Sequence, residues 1–157
     1  MFKNLLAGLL LSLGALAMPV EAGNLWPPRN YDPGVLFEWN ALLVEAVPDD
    51  VGVMLPHYYA LMHTAMYDAV VSIEGGHPAM RVRVRAPRQA SSDAAAAQAA
   101  HDVLVALLPS SAVAFDEALA NRLGTINPNR AQLGAQVGRE VARKILEWHA
   151  AAAPHRS

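Results

Sequence analysis

Histidine is the residue type in this sequence best suited to chemistry, and its spacing decides which chemistry is open to it. An imidazole beside a carboxylate can move a proton, and two imidazoles one helical turn apart can hold a metal ion. His63 and Asp68 share a helix-forming stretch, but five helical residues separate them by about 140° around the axis. The neighbours His101 and Asp102 point about 100° apart. We therefore expect neither pair to act together.

The remaining residue types offer no better catalytic or metal site. No two histidines have the i, i+3 or i, i+4 spacing that places two ligands on one helix face. The six are His57, His63, His77, His101, His149 and His155. The chain has no cysteine, no G-x-S-x-G or H-E-x-x-H motif and no phosphate-binding loop. We predict no catalytic residue, no metal ligand and no cofactor-binding residue in this chain.

Four polar residues of the first two helices are predicted to be structural. A buried carboxylate at Asp68 needs hydrogen-bond donors. The hydroxyl of Thr64, the indole of Trp39 and the amide of Asn40 are the candidates. Bonds of this kind would fix the angle at which the two helices cross.

Four arginines lie in the segment that follows the second helix. Prolines in this segment prevent it from forming a helix. Alternation in Arg81-Val82-Arg83-Val84-Arg85 places three guanidinium groups on one side of an extended chain, and Arg88 adds a fourth. One interpretation is an arm that binds an anion. The other is a solvated arm with an aliphatic underside.

Composition limits the chain to a globular domain with ample core material. It has 157 residues, 54% of them hydrophobic, and a formal net charge of −2. That is one domain's worth of sequence. The near-neutral charge provides no electrostatic case for binding nucleic acid, and we expect none to bind.

The pattern of apolar residues and breakers predicts an all-α fold of about five helices in a bundle, with one long extended connector. Asp32-Pro33, Ser91-Ser92-Asp93 and Asn127-Pro128 are typical helix starts, and Ser110-Ser111 is a fourth. The second helix, from Pro56 to about Ile73, is apolar on most of its surface and is expected to be central. Small residues at positions 134, 138 and 142 predict close packing of helix five against helix three or four.

Both ends of the chain are predicted to lie outside this helical domain. Residues 1–22 have the charged start, apolar run and small-residue cleavage site of a signal peptide, with cleavage after Ala22. An uncleaved anchor is the alternative, but the thirteen-residue apolar run would rise only about 20 Å. We expect a periplasmic or secreted protein with no stable membrane span after cleavage. Residues 23–34 would form an extended arm and 153–157 a tail.

Two motifs together resemble a known enzyme family. They are Trp39-Asn40 followed by His63-x-x-Met66-Tyr67-Asp68-Ala69-Val70, and Ser92-x-Ala94-Ala95-Ala96-Ala97 followed by Ala100-His101-x-Val103-Leu104-Val105-Ala106-Leu107-Leu108-Pro109. Residues 35–152 resemble the N-terminal helical region of bacterial vanadium-dependent haloperoxidase-like proteins, relatives of the type 2 phosphatidic acid phosphatases. The resemblance implies an α-helical enzyme that binds vanadate or phosphate.

The residues that such enzymes use to bind the anion have no counterpart in this sequence. The family site combines a lysine, an Arg-Pro pair, a Pro-Ser-Gly-His segment and a later arginine and histidine, in the C-terminal part of the protein. This chain has no Arg-Pro and no Ser-Gly-His. We therefore expect a scaffold portion, inactive alone and with no cofactor of its own, from which the C-terminal catalytic half is missing, as in a truncated, frameshifted or partial gene product.

A second hypothesis treats the chain as a non-catalytic exported interaction protein. Helices that would pack on a catalytic half leave apolar surface exposed, and such surface drives association. The chain would then form a homodimer or bind another partner. The residues leave open both the choice between oxidation and phosphate hydrolysis and the halide preference.

Overall fold

The computed structural model describes residues 31–152 of the chain. This range contains five α-helices. They are α1 (Gly34–Ala46), α2 (Leu55–Glu74), α3 (Ser92–Leu107), α4 (Ala112–Gly124) and α5 (Pro128–Ala152). Short 3-10 helices span Asp49–Met54 and Pro109–Ser111. This part of the chain contains no strand, so the all-α prediction is confirmed for it. The predicted signal peptide, most of the predicted arm and the tail lie outside the described residues.

Side-chain oxygens cap the first turns of three helices, at the positions that the sequence indicates. Asp32 accepts a hydrogen bond from the Gly34 amide at 2.8 Å, and Ser91 accepts one from Ala94 at 3.3 Å. Asn127 accepts from two amides of the first turn of α5, at 3.2 and 3.4 Å. These bonds satisfy amides that have no partner within the helix. Helix α4 differs, because Ser110 and Ser111 form a 3-10 turn and the α-helix starts at Ala112.

The helices alternate in direction around α3. The start of α1 meets the start of α3, where the Asp32 amide donates to Asp93 at 2.8 Å. The end of α2 also meets the start of α3, through a hydrogen bond between Ser92 and Glu74. Helix α5 runs parallel to α3. Helices α1, α3 and α5 therefore point one way, and α2 and α4 the other.

Helix α3, and not α2 as the sequence suggested, is the central helix. Ten of its sixteen residues are buried, against eight of twenty in α2. It packs on α1, α2, α4 and α5. Its buried residues are mostly alanines, whose small side chains let neighbouring helices approach from several sides. Apolar periodicity in α2 marked a buried face correctly but did not show which helix lies in the middle.

Contact between α3 and α5 is close enough to involve backbone. A Cβ atom added at Gly138 would overlap the carbonyl oxygen of Ala95 and lie 2.8 Å from the Cβ of Gln98. One added at Gly134 would overlap the carbonyl oxygen of Ser91. The predicted close packing of helix five is confirmed, with α3 as the neighbour.

The connector, residues 75–91, is extended and alternates in exposure. It starts with Gly75 and Gly76 at φ of 71° and 78°, in the left-handed region that favours glycine. Arg81, Arg83 and Arg85 are exposed, while the residues between them are partly buried. The predicted alternation is therefore confirmed. Within residues 31–152, none of the helices combines the length and apolar character needed to cross a bilayer.

We predict that Gly138→Ala destabilises the fold even though alanine favours helices. The helix propensity gain is about 1 kcal/mol, but the overlap with the Ala95 carbonyl forces α3 and α5 apart. The expected net loss in the free energy of unfolding, measured by urea denaturation, is about 1–2 kcal/mol. Gly124→Ala is the matched control, because no atom lies within 4 Å of its added Cβ. Equal effects at the two positions would contradict this account of the interface.

Candidate functional site

Asp68 is a fully buried carboxylate that attaches the connector to α2. One carboxylate oxygen accepts a hydrogen bond from the Met80 amide at 2.6 Å. The other accepts from the amides of Arg81 and Val82, at 2.9 and 2.7 Å. An extended segment without a neighbouring strand needs acceptors for its amides, and this carboxylate provides them. The side chain therefore fixes the connector on α2 and not the crossing of α1 and α2.

The expected partners of Asp68 make other contacts. Thr64 donates to the Ala60 carbonyl of its own helix at 2.7 Å. Asn40 bonds to His63, with its Oδ1 2.7 Å from the imidazole Nε2. Trp39 is fully buried, and its indole N–H has no hydrogen-bond partner among the described residues. This bond joins α1 to α2, and a longer one from the Tyr59 hydroxyl to the Asn40 carbonyl oxygen, at 3.5 Å, also joins them. Asn40 therefore links the two helices, but through His63 and Tyr59 and not through Asp68.

A groove of about 260 Å³ lies between the start of α1, the middle of α2 and the connector. Its walls are Tyr31, Pro33, Leu36, His63, Met66, Tyr67, Val70 and Met80. Its polar side chains are His63 and the hydroxyl groups of Tyr31 and Tyr67. Mainly apolar walls with a few polar groups are typical of a small-molecule site.

His63 is the residue of this groove best suited to proton transfer, because an imidazole titrates near neutral pH. Burial lowers its pKa, which favours the neutral imidazole. Because Asn40 offers its carbonyl oxygen, Nε2 carries the proton and Nδ1 is left as an acceptor. Burial also raises the pKa of Tyr31 to about 12, so its hydroxyl stays protonated at neutral pH. Spacing within one helix could not reveal this pair, since Asn40 and His63 belong to different helices.

His101 pairs with two carboxylates, and the expectation that it would not pair with Asp102 is wrong. Its Nδ1 lies 2.7 Å from Asp102 Oδ1, and its Nε2 lies 2.7 Å from Asp116 Oδ1 on α4. The side chains of adjacent residues can bend toward each other, although their Cβ atoms point about 100° apart. Burial lowers the pKa of His101, but its hydrogen bonds and charge attraction to Asp102 and Asp116 outweigh burial and raise it overall. The ring therefore links α3 to α4, and its raised pKa favours the protonated, charged form.

Arg122 provides a second ionic link to α4. Its guanidinium donates twice to Glu38 of α1, at 3.0 and 2.6 Å, and once to Asp32 at 3.2 Å. Its pKa is raised, because hydrogen bonds and charge attraction to Glu38 and Asp32 exceed the opposing effect of burial. Both links hold α4 in place.

Two of the four connector arginines contact other parts of the described fold. Arg81 lies over the ring of Trp148, with its guanidinium carbon 4.3 Å from the ring centroid. Arg83 donates to the carbonyl oxygens of His77 and Val71, at 3.3 and 3.4 Å. Arg85 and Arg88 are exposed, and neither makes a hydrogen bond or ion pair with another described residue.

Two of the basic side chains that a vanadate site would require, Arg81 and Arg83, already contact other parts of the described fold. A tetrahedral oxyanion requires guanidinium groups and backbone donors around one centre, with a histidine to bond the central atom. Arg81 contacts α5, whereas Arg83 contacts the end of α2. Lys144 lies 3.5 Å from Glu140 on the outer face of α5. Residues 31–152 likewise contain no group of three or more histidines and carboxylates placed to hold a metal ion.

Comparisons of the chain with known protein families, with curated proteins and with solved structures found no match. Any assignment of function depends on the contacts described above and on the motif resemblance of residues 35–152.

We predict that Asp68→Asn lowers the free energy of unfolding by about 2–4 kcal/mol. The amide keeps one acceptor oxygen, but its NH2 group faces backbone donors. Amide hydrogen exchange should speed up at residues 80–82 in particular. Glu117→Gln, on the exposed face of α4, is the control for loss of a carboxylate. Asp68→Ala should also lower thermal stability, and an unchanged melting temperature in both variants would refute the anchoring role.

We predict that His101 stabilises the fold at low pH and loses this effect as the pH rises. Its folded-state pKa lies above the unfolded value of about 6.5, so its contribution is complete below that value and disappears as the pH passes the raised pKa. His63, whose pKa is lowered, acts in the opposite direction. The informative quantity is therefore the stability difference between wild type and His101→Gln, measured by urea unfolding from pH 5 to 9.

That difference should shrink as the pH rises, and the NMR titration of the His101 ring should have its midpoint above that of a free histidine. A midpoint at or below the ordinary value would contradict the charged link between α3 and α4.

Proposed function

We propose that this chain is the helical scaffold portion of an exported vanadium-dependent haloperoxidase- or phosphatase-like protein and that it carries no oxyanion site of its own. The observation that supports this most directly is the position of Asp68. It belongs to the first motif of the resemblance, and both of its carboxylate oxygens are used to hold the connector. Because the one acidic residue of this motif holds the connector, we assign the motif a structural role.

Other motif residues support the same proposal. Met66, Ala69 and Val70 of the first motif are buried, as are the alanines of the second. His101 of the second motif is held between two carboxylates. These residues set helix packing. Export after cleavage at Ala22 is part of the proposal and depends on residues outside the described range.

An exposed apolar stripe on α1 favours a second candidate function, a non-catalytic interaction protein. Phe37 and Val44 are 69% and 53% exposed, and Ala41 lies between them on the same face. Exposed apolar residues that follow a helix at this spacing form a continuous surface for a partner. In the scaffold proposal the stripe packs on the catalytic half, and in the alternative it packs on a second copy of the chain.

We predict that the purified mature chain does not oxidise bromide with peroxide and orthovanadate, and does not hydrolyse a phosphate monoester. The described arginines contact separate helices, so vanadate should keep its free ⁵¹V NMR signal in the presence of the protein. Turnover that requires the protein and is lost in Arg81→Ala or Arg83→Ala would overturn the scaffold proposal.

Light scattering on the same sample separates the two candidates. The scaffold proposal expects a monomer in the absence of a catalytic half. A dimer that Phe37→Glu dissociates would support the interaction protein instead. Val113→Glu is the control, since Val113 is 70% exposed but lies on α4, outside the stripe.

A further inference from the structure

Two histidines from distant parts of the sequence meet at one end of the bundle. His57 lies in the first turn of α2, and His149 lies in the last turn of α5. Because α2 and α5 run in opposite directions, these two helix ends are neighbours. The ring centroids are 4.8 Å apart, and the ring planes are inclined at 50°. Both side chains are partly exposed, so solvent and ions can reach them.

The separation of the rings matches two imidazoles that share one metal ion. A histidine nitrogen binds zinc at about 2.0–2.1 Å, which places each ring centroid about 3.2 Å from the metal. Two such ligands at a tetrahedral angle have centroids about 5.2 Å apart. The observed centroid separation of 4.8 Å lies within a few tenths of an ångström of this value.

We propose that His57 and His149 form a two-histidine site for a divalent first-row transition-metal ion. Imidazole nitrogen suits Zn²⁺, Cu²⁺ and Ni²⁺, whereas Mg²⁺ and Ca²⁺ require oxygen ligands. No third histidine or carboxylate among residues 31–152 completes a larger cluster there. Water or an exogenous ligand occupies the remaining coordination positions.

Such an ion would join the start of α2 to the end of α5. These helices meet elsewhere through apolar packing around α3, and the described contacts at this end include the cation–π pair of Arg81 and Trp148. An ion that binds the folded state and not the unfolded chain raises stability by mass action. The ion would therefore cross-link α2 and α5 and stabilise the bundle. This role is independent of the scaffold function proposed above.

The site can be tested on the untagged mature chain with Zn²⁺, Ni²⁺ and Cu²⁺, by calorimetry and by thermal unfolding. The chain has no cysteine, so thiolates cannot contribute. We expect one ion per chain at pH 7.5, a higher melting temperature with the metal than without it, and weaker binding at pH 5.5, where protons compete for the imidazoles. Affinity should rise from zinc to copper.

His57→Gln and His149→Gln should each weaken binding at least tenfold and remove the metal-dependent rise in melting temperature. His77→Gln is the matched control and should bind like wild type. Circular dichroism without metal verifies that each variant is folded, and His57→Asn and His149→Asn replace any variant that is not. Absence of saturable binding, or binding that survives loss of either histidine, would overturn the proposal.

Discussion

The bundle depends on how closely α5 can approach α3. At Gly134 and Gly138 the two helices are so close that a single methyl group would overlap backbone oxygen. Alanines on the remaining sides of α3 let α1, α2 and α4 approach it as well. Backbone and methyl groups pack densely at this contact, and larger side chains such as Trp39 and Phe115 are fully buried elsewhere in the same core. Any larger residue on this α3–α5 contact would displace several helices at once.

Polar groups in this core are used to hold elements together. Asp68 holds the connector, His101 and Arg122 hold α4, and Asn40 with His63 joins α1 to α2. Each group has its partners within the fold, which is the usual condition for burying polarity. Trp39 is the exception, since its buried indole N–H has no partner among the described residues. The scaffold proposal is consistent with this use of polar residues.

The sequence predicted local features well and contacts between helices poorly. Helix starts at Asp32, Ser91 and Asn127 were predictable, because a capping side chain acts within a few residues of its own position. The alternating exposure of the arginine segment was predictable for the same reason. The partners of Asp68, by contrast, depend on where the connector returns to α2.

Tertiary contacts also explain the two histidine findings that the spacing rules missed. His57 and His149 are brought together by the antiparallel arrangement of α2 and α5. His101 meets Asp116 because α4 folds back along α3. Spacing along one helix predicts neither contact, since both join residues from different helices.

The mode of attachment of α4 has a consequence for cooperativity. Phe115 is its one buried residue, Ala118 and Leu119 pack against the core while partly exposed, and His101 and Arg122 add ionic links. Ionic links on a partly exposed helix weaken as salt screens them, whereas the apolar core of α3 and α5 does not lose its strength in this way. Helix α4, with one buried residue among its thirteen, is therefore a segment that can detach as a sub-global unfolding unit. Its departure would uncover the face of Trp39 that Phe115 now covers.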